Sequence, residues 1–168
     1  MLVRPATCDD AVRISEIYNQ AVLTSTASFD LEPKSVEDRR TWLADRAPHH
    51  PVIVAESEGQ VVGWGALSRF SERPAYDATV EISVYVDAAW HRQGVGRSIN
   101  DALLDIAAEA GVHSIIARIC TENAGSISIA LAAGFVEIGV MHGVGRKFDR
   151  WLDVAIFEYL PHADPDAP

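Results

Sequence analysis

The chain has 168 residues, a length that suits one domain with a substantial core. Its composition, 48% hydrophobic and 23% charged, is ordinary for a globular protein, and no apolar run reaches the length of a membrane span. The formal net charge of −10 argues against a nucleic-acid partner, which would need a basic surface. The two cysteines, Cys8 and Cys120, lack metal-ligand spacing, and the first residues do not form a signal peptide pattern. We therefore expect a cytoplasmic protein with no metal site and no membrane partner.

The first half of the chain predicts a short strand, two helices and a β-hairpin. The strand covers residues 1–4, and Thr7 then caps a helix whose apolar residues share one face. Residues 24–30 interrupt that helix with β-branched and hydroxyl side chains, and Ser35 begins a second helix that ends before Pro48. Apolar, β-branched runs at residues 52–56 and 61–68 flank a turn, which is the pattern of a hairpin.

The second half alternates strands with helices. Residues 79–86 alternate apolar and polar side chains, which predicts a half-buried strand, and a helical apolar series then runs from Val95 to the C-cap Gly111. We expect a buried strand at residues 113–120, a helix at 123–133, and two final strands, 135–141 and 151–159, around a charged loop. This order favours a mixed α/β sheet in one domain over residues 1–161. The polar, proline-rich residues 162–168 predict a disordered tail.

A glycine-rich turn joins the strand at residues 79–86 to the helix that follows. Gly94 and Gly96 allow the backbone to approach a ligand closely, and the free N–H groups at the start of the helix favour an anion. Arg92 and Arg97 add positive charge. The turn therefore predicts a pyrophosphate cradle. A tight strand-to-helix turn that binds nothing is the alternative.

The residues around the turn restrict which pyrophosphate fits. A dinucleotide-binding turn has a third glycine where this chain has Ile99. A nucleotide P-loop has a lysine before its serine or threonine, whereas here Arg97 precedes Ser98. Coenzyme A is the remaining common ligand.

The turn resembles the phosphate loop of the GNAT superfamily of acyl-CoA N-acyltransferases, Gln/Arg-x-x-Gly-x-Gly/Ala. Gly94 and Gly96 match, and His91 stands where the pattern has Gln or Arg. Nearly the whole chain is similar to the phosphinothricin (methionine sulfoximine) acetyltransferase family. The blocks that carry this similarity are Ile17-Tyr18-Asn19, Thr24-Ser25-Thr26-Ala27-Ser28-Phe29, Glu32-Pro33, Arg73-Pro74-Ala75-Tyr76, residues 80–86, Thr121-Glu122-Asn123, Gly145 with Lys147, and Trp151-Leu152-Asp153-Val154.

The resemblance implies a fold, a co-substrate and an assembly. The fold is a mixed, mostly antiparallel central sheet of about seven strands flanked by about four helices. The co-substrate is acetyl-CoA, the second substrate is a small amine or amino acid, and the protein is expected to be a homodimer.

Acetyl transfer to an amine requires a base, because an aliphatic amine is mostly ammonium at neutral pH. Glu81, on the polar face of the strand before the turn, matches the glutamate that acts as base in the resembled family, usually through water. The resemblance also assigns backbone N–H groups of Val84, Tyr85 and Val86 to the oxyanion formed by the attack. A solvated or salt-bridged strand carboxylate is the structural alternative for Glu81.

The resemblance implies coenzyme A contacts in the turn and at the start of the helix at residues 123–133. Asn123 and Ser126 match the contacts to the pantetheine arm, and Asn123 is equally suited as a helix N-cap. Ala130 stands where the family has the Tyr or His that protonates the leaving thiolate. The thiolate then leaves unassisted or takes its proton from water, Tyr85 or His142. The contacts expected at the turn are Arg92, Gln93, Gly94, Val95, Gly96, Arg97 and Ser98.

The acceptor residues are implied by the same family blocks. Arg73 is expected to grip the carboxylate of an amino acid, with Tyr76 beside it. Phe29 is expected to form an apolar wall, and Lys147 to belong to the same site. Arg146 and Asp149 replace an aromatic residue and a glycine of the family, which predicts a more charged pocket if their loop closes over the acceptor.

Three functions are compatible with the sequence. The first is an acetyltransferase for the α-amine of an amino acid or analogue such as methionine sulfoximine or phosphinothricin. The second is an acetyltransferase for a protein N-terminus or a lysine, which would need an open acceptor groove. The third is a non-catalytic acyl-CoA-binding module, which the alanine at position 130 suggests.

Overall fold

The computed structural model describes residues 1–162, and within them seven strands form one sheet on which four α-helices pack. The helices are α1 (Ala11–Thr24), α2 (Val36–Ala44), α3 (Val95–Glu109) and α4 (Ala124–Ala132). The strands are β1 (Leu2–Pro5), β2 (Val52–Ser57), β3 (Gln60–Arg69), β4 (Thr79–Val86), β5 (Ser114–Cys120), β6 (Val136–Lys147) and β7 (Arg150–Tyr159).

The strands lie in the order β1-β2-β3-β4-β5-β7-β6. Neighbouring strands are antiparallel except β4 and β5, which are parallel because α3 connects them as a crossover. The prediction of a mixed, mostly antiparallel sheet of about seven strands with about four helices is confirmed.

The sheet separates two hydrophobic clusters. On one face, Ile99 and Leu103 of α3 are fully buried, and Val84 and Val86 of β4 pack against that cluster. On the other face, α1 and α2 cover the sheet in a cluster that Tyr85 joins. Successive side chains of a strand point to opposite faces, so the polar residues of β4 lie on the side of α1.

The predicted starts of the helices are confirmed. Thr7 caps a single 3₁₀ turn, Cys8–Asp10, that leads into α1. Ser35 caps α2, where its side chain accepts a hydrogen bond from the Asp38 amide and the Asp38 carboxylate accepts one from the Ser35 amide. These reciprocal bonds satisfy N–H groups that the first turn of a helix leaves free.

The predicted charged loop between the last two strands is wrong, because most of its residues belong to a hairpin. β6 continues to Lys147, and β7 begins at Arg150. Phe148 and Asp149 form the two-residue turn, both with φ in the left-handed region, which suits the twist of a tight hairpin. Two irregularities in the β6–β7 register interrupt the alternation by which the strand would have been recognised from the sequence.

Two further predictions concern the ends of the chain and membranes. Across residues 1–162, no helix combines the length and the apolar character that a membrane crossing requires. Of the predicted disordered tail, residues 163–168 lie outside the described part of the chain.

Candidate active site

β4 and β5 pair only along their first halves. Thr79, Val80 and Glu81 face Ser114, Ile115 and Ile116, and no pairing follows Glu81, although β5 stays paired with β7 as far as Cys120. The two strands therefore diverge beyond Glu81, and the edge of β4 that faces β5 is left without a ladder partner there.

A cleft of about 1090 Å³ occupies this divergence. Its walls come from both diverging strands, from the N-terminal ends of α3 and α4, and from residues 24–30 after α1. Val84, Tyr85 and Val86, predicted to present their backbone to the acyl group, line it. A cleft between parted strands with a helix N-terminus at one end suits a long thioester with a pyrophosphate, because the arm can lie along free backbone groups.

The start of α3 forms the anion-binding end of the cleft. Gly94 is the N-cap in the left-handed region, with φ of 82°, and no side chain caps the first N–H groups of the helix. Gly94, Val95, Gly96 and Arg97 line the cleft. The free N–H groups and the helix dipole favour a phosphate at this point.

Gly96 permits close packing around the cradle. A Cβ on Gly96 would lie 3.1 Å from Cδ1 of Ile129 in α4 and 3.5 Å from Cγ2 of Val86 in β4. The absence of a side chain thus lets α3 approach both neighbours.

The charged and polar residues of the turn divide into two groups. Arg92, with φ of 61°, and His91, whose Nε2 lies 3.1 Å from the carbonyl oxygen of Val86, line the cleft. Gln93 and Ser98 are not among the lining residues: the Gln93 side chain donates to the Ala89 carbonyl, and the Ser98 amide donates to that of Gly94. The predicted coenzyme A contacts of Gln93 and Ser98 therefore have less structural support than those of the other turn residues.

The start of α4 forms the opposite wall. The side-chain carbonyl of Asn123 accepts a hydrogen bond of 3.2 Å from the Ser126 amide, so Asn123 is the N-cap of this helix. Both residues line the cleft, and the N-cap role leaves the NH₂ group of Asn123 as its ligand-facing donor. Ala130 is buried at the cleft wall and carries no transferable proton.

The two alternative proton donors differ in position. His142 is exposed and is not a lining residue; its Nδ1 lies 3.0 Å from Oδ2 of Asp153. Tyr85 lines the cleft and packs against the rings of Tyr18 and Trp64, with centroid separations of 5.0 and 4.8 Å. Burial raises the pKa of Tyr85 above its usual value, so proton transfer from it to the thiolate of a thiol with a pKa of about 8.5 is uphill.

Glu81 lies at the point where the strands part, and Arg118 of β5 binds it. Nε and Nη2 of Arg118 donate to Oε1 and Oε2 of Glu81 at 2.8 and 2.6 Å. The Glu81 side chain is 20% exposed and that of Arg118 is 54% exposed, and both residues line the cleft. The hydrogen bonds to Glu81 raise the pKa of Arg118. A fork-to-fork pair of this kind holds the carboxylate in one orientation.

The segment at residues 24–30 forms the wall of the cleft on the side of α1. The Tyr18 hydroxyl donates to Asp30 at 2.8 Å and lies 3.0 Å from the Ser28 hydroxyl. Phe29 packs on Gly145 of β6. Buried Lys147 donates to the Ser28 carbonyl at 2.6 Å, and its burial lowers its pKa. Lys147 thus holds the segment and the hairpin together and is not among the residues that line the cleft, whereas Phe29 and Ser28 are.

The structure does not bring Arg73 and Tyr76 to the lining of the cleft. Arg73 is exposed and precedes a 3₁₀ turn, Pro74–Tyr76. The Tyr76 ring packs on Phe70 with centroids 5.4 Å apart. Arg146 and Asp149 also lie outside the lining, where they pair with each other at 3.4 Å near the hairpin turn.

Sequence reasoning missed Arg118. One signal was available, since Arg118 is the single charged residue of the strand Ser114–Cys120. Its position in the alternation of the strand places it on the same face of the sheet as α1. Its pairing with Glu81 was not predictable from spacing, because the two residues are 37 positions apart and meet only through the parallel crossover.

Comparison with known proteins identifies the family. The profile of the acetyltransferase (GNAT) domain matches residues 3–156. An L-methionine sulfoximine/L-methionine sulfone acetyltransferase of Salmonella typhimurium is 36% identical over 99% of both chains. An acetyltransferase structure from the same organism, solved with its cofactor acetyl-CoA, superposes with a TM-score of 0.93 at 36% identity, covering 100% of this chain and 99% of that one. A ribosomal-protein-alanine N-acetyltransferase structure from Brucella melitensis gives a TM-score of 0.93 at 37% identity, covering 95% and 99%.

The profile, the identities and the cleft agree. The resemblance to the methionine sulfoximine and phosphinothricin acetyltransferases is confirmed, and acetyl-CoA is the co-substrate. The chain belongs to the GNAT family and is an acetyl-CoA-dependent N-acetyltransferase.

Proposed function

We propose that the protein transfers the acetyl group of acetyl-CoA to the α-amine of a small amino acid, such as methionine sulfoximine, methionine sulfone, phosphinothricin or a related compound. The observation that carries this proposal is the fixed wall that residues 24–30 form in the cleft that Glu81 also lines. Residues 24–30 are fixed at the wall of the cleft by Tyr18 and by buried Lys147, and the Glu81–Arg118 pair lines the same cleft, so a carboxylate and a guanidinium are presented together to a small acceptor.

Glu81 is proposed as the general base. Acetyl-CoA supplies an acyl group activated as a thioester. The Glu81 carboxylate takes a proton from the acceptor ammonium, directly or through one water, and the free amine then attacks. Backbone groups of Val84, Tyr85 and Val86, at the unpaired edge of β4, are proposed to face the charge that develops on the carbonyl oxygen.

The leaving group needs no residue at position 130 in this scheme. The acceptor nitrogen loses its second proton after the N–C bond forms, and the sulfur gains one when the C–S bond breaks. The pKa of a thiol, about 8.5, allows water to supply that proton at neutral pH. Buried Ala130 is compatible with this route.

A protein N-terminus is the second candidate acceptor, and the Brucella structure named for such an activity favours it. An assay of thiol release with acetyl-CoA separates the two. The panel contains methionine sulfoximine, methionine sulfone, phosphinothricin, the common amino acids and a peptide with an N-terminal alanine. We expect release with at least one free amino acid and little with the peptide. Release with the peptide alone would contradict the proposal.

We propose a homodimer formed through the hairpin of β6 and β7. β6 lies at the edge of the sheet and is 12 residues long. Val136, Ile138, Val144 and Trp151 of this hairpin are all at least half exposed. Long apolar edge strands are usually covered in proteins, so a second copy of the chain is the proposed cover. Light scattering at micromolar concentration tests the assembly, and a monomer mass would contradict it.

We also propose that the protein works in the cytoplasm. Cys8 is exposed and Cys120 is buried, and both are free thiols. A reducing compartment suits an exposed thiol. Fractionation of the native host tests this location.

A further inference from the structure

We infer that Arg118 binds the carboxylate of the amino-acid acceptor, so that the acceptor exchanges partners with the ion pair Glu81–Arg118. In the free enzyme Arg118 holds Glu81. In the complex the acceptor ammonium takes Glu81, and the acceptor carboxylate takes Arg118. This inference rests on the proposed function, since it specifies how that site recognises an α-amino acid.

The position of the pair supports the exchange. Glu81 is the last residue of β4 that pairs with β5, where it faces Ile116, and Arg118 follows Ile116 by two residues on the same face of the sheet. Both side chains therefore lie at the point where the strands begin to diverge, and both line the cleft. An acceptor that reaches Glu81 must pass beside the guanidinium of Arg118.

The chemistry of the pair is complementary to a zwitterion. A carboxylate next to a guanidinium presents one negative and one positive group side by side, and an α-amino acid presents the reverse arrangement. The guanidinium fork binds any carboxylate in two parallel hydrogen bonds, so the acceptor carboxylate can replace that of Glu81 with the same geometry.

The other cations of the cleft are placed for a different task. Among its lining residues the arginines are Arg92, Arg97 and Arg118, and the first two flank the start of α3, where the pyrophosphate is expected. Buried Lys147 does not line the cleft, and its ammonium group is engaged with the Ser28 carbonyl. Arg118 is thus the arginine of the cleft that stands next to the proposed base.

The exchange is energetically accessible because the pair is partly solvated. More than half of the Arg118 side chain is exposed, and a pair of this exposure contributes little to folding. Breaking the pair therefore costs little free energy, and two new charge-assisted hydrogen-bonded contacts to the acceptor replace it. The exchange also frees both Glu81 oxygens from the guanidinium at the moment when a proton must be accepted.

The test compares an amino acid with its decarboxylated amine. The wild type is assayed with its best amino acid and with the amine of the same side chain, and Arg118→Ala, Arg118→Gln and Arg118→Lys are assayed in parallel. We expect Arg118→Ala and Arg118→Gln to lower kcat/KM for the amino acid by about tenfold to a hundredfold, the loss of a charged hydrogen-bonded contact. Activity with the amine should be retained, and Arg118→Lys should be intermediate because lysine keeps the charge but lacks the fork.

This split excludes a role limited to holding Glu81, which would lower both activities equally. Calorimetry gives a second readout: the amino acid should bind more weakly to the CoA complex of Arg118→Gln than to that of the wild type. Arg40→Ala, which removes an exposed arginine paired with Glu37 on α2, is the matched control and should leave both activities unchanged.

Two other results have distinct meanings. If Arg118→Ala keeps its preference for the amino acid, the inference is wrong, and a simultaneous loss of preference in Arg73→Ala would move the carboxylate contact to the loop before β4. If the wild type acetylates no free amino acid at all, the proposed function itself fails. Thermal unfolding of each variant verifies that the comparison concerns folded protein.

Discussion

The ring of Phe29 occupies the space where Gly145 would carry a side chain. A Cβ built on Gly145 would lie 2.2 Å from Cε2 of that ring, which is closer than non-bonded atoms approach. The segment at residues 24–30 therefore packs on the hairpin of β6 and β7 through this contact and through the hydrogen bond from Lys147 to the Ser28 carbonyl. The wall that residues 24–30 form in the cleft therefore depends on a distant part of the chain.

Gly145→Ala should impair the acceptor side of the reaction while it spares coenzyme A binding. The added methyl group must displace Phe29 and with it the neighbouring wall of the cleft. We expect the KM for the acceptor to rise by about tenfold, corresponding to about 1.4 kcal/mol, with the affinity for coenzyme A nearly unchanged. Gly139→Ala is the matched control, because it lies on the same strand and a Cβ there would meet nothing within 4 Å. Equal kinetics for the two variants would contradict the proposed seat for Phe29.

Gly96→Asp should abolish coenzyme A binding. The side chain would start 3.1 Å from Ile129, and its carboxylate would lie near the N–H groups proposed to hold the pyrophosphate. Gly96→Ala adds the bulk without the charge, so it should lower the affinity by less. Calorimetry with coenzyme A measures both variants. Wild-type affinity in a folded Gly96→Asp protein would remove the cradle from the account.

Glu81→Gln should lower turnover by about two to four powers of ten, because glutamine cannot accept the proton of the acceptor ammonium. Coenzyme A affinity should change little, since Glu81 lies where β4 and β5 part and not at the start of α3, where the pyrophosphate is expected. The deficit should shrink at alkaline pH, where more of the acceptor is already a neutral amine. Steady-state rates across the pH range test this expectation, and wild-type turnover of the variant at neutral pH would exclude Glu81 as the base.

Much of this site was predictable from local sequence patterns. The alternation in β4, the glycines of the following turn and the apolar series of α3 are each contained in a few consecutive residues, and the structure has them as expected. Arg118 was missed because its partner Glu81 is brought to it by the crossover through α3. The hairpin at residues 142–150 was missed for two reasons. Its lysine is buried although lysine is a residue type typical of loops, and its register irregularities interrupt the alternation by which a strand is recognised.

The N-terminal strand provides a test of stability that is separate from catalysis. Buried Asp10 accepts hydrogen bonds of 2.9 Å from both Nη atoms of Arg4 and one of 2.8 Å from the Thr7 amide. These contacts, the bond from Arg4 first, lower the pKa of Asp10 below its usual value. A depressed folded-state pKa stabilises the fold at pH values above the unfolded-state pKa, and this contribution disappears as the pH falls through the folded-state value.

Asp10→Asn should therefore lower the free energy of unfolding by about 1–3 kcal/mol at neutral pH, because a charged hydrogen-bonded contact is lost. The difference from the wild type should diminish below about pH 4, where the unfolded chain of the wild type binds a proton at Asp10. Urea unfolding at a series of pH values measures it. Asp9→Asn, at the exposed neighbouring position, is the control and should show little effect. A deficit in Asp10→Asn that stays constant with pH would show that the ionised carboxylate is not what stabilises this end of the fold.

The choice of acceptor is tested most directly by competition. The wild-type enzyme receives limiting acetyl-CoA together with equal concentrations of methionine sulfoximine and a peptide with an N-terminal alanine, and mass spectrometry measures the two acetylated products. Their ratio equals the ratio of the two kcat/KM values. A cleft with a fixed wall at residues 24–30, and with Glu81 and Arg118 where its two strands part, predicts that the acetylated amino acid exceeds the acetylated peptide by about a hundredfold, or about 2.7 kcal/mol. A product mixture in which the acetylated peptide equals or exceeds the acetylated amino acid would contradict the assignment of a small amino acid as the acceptor.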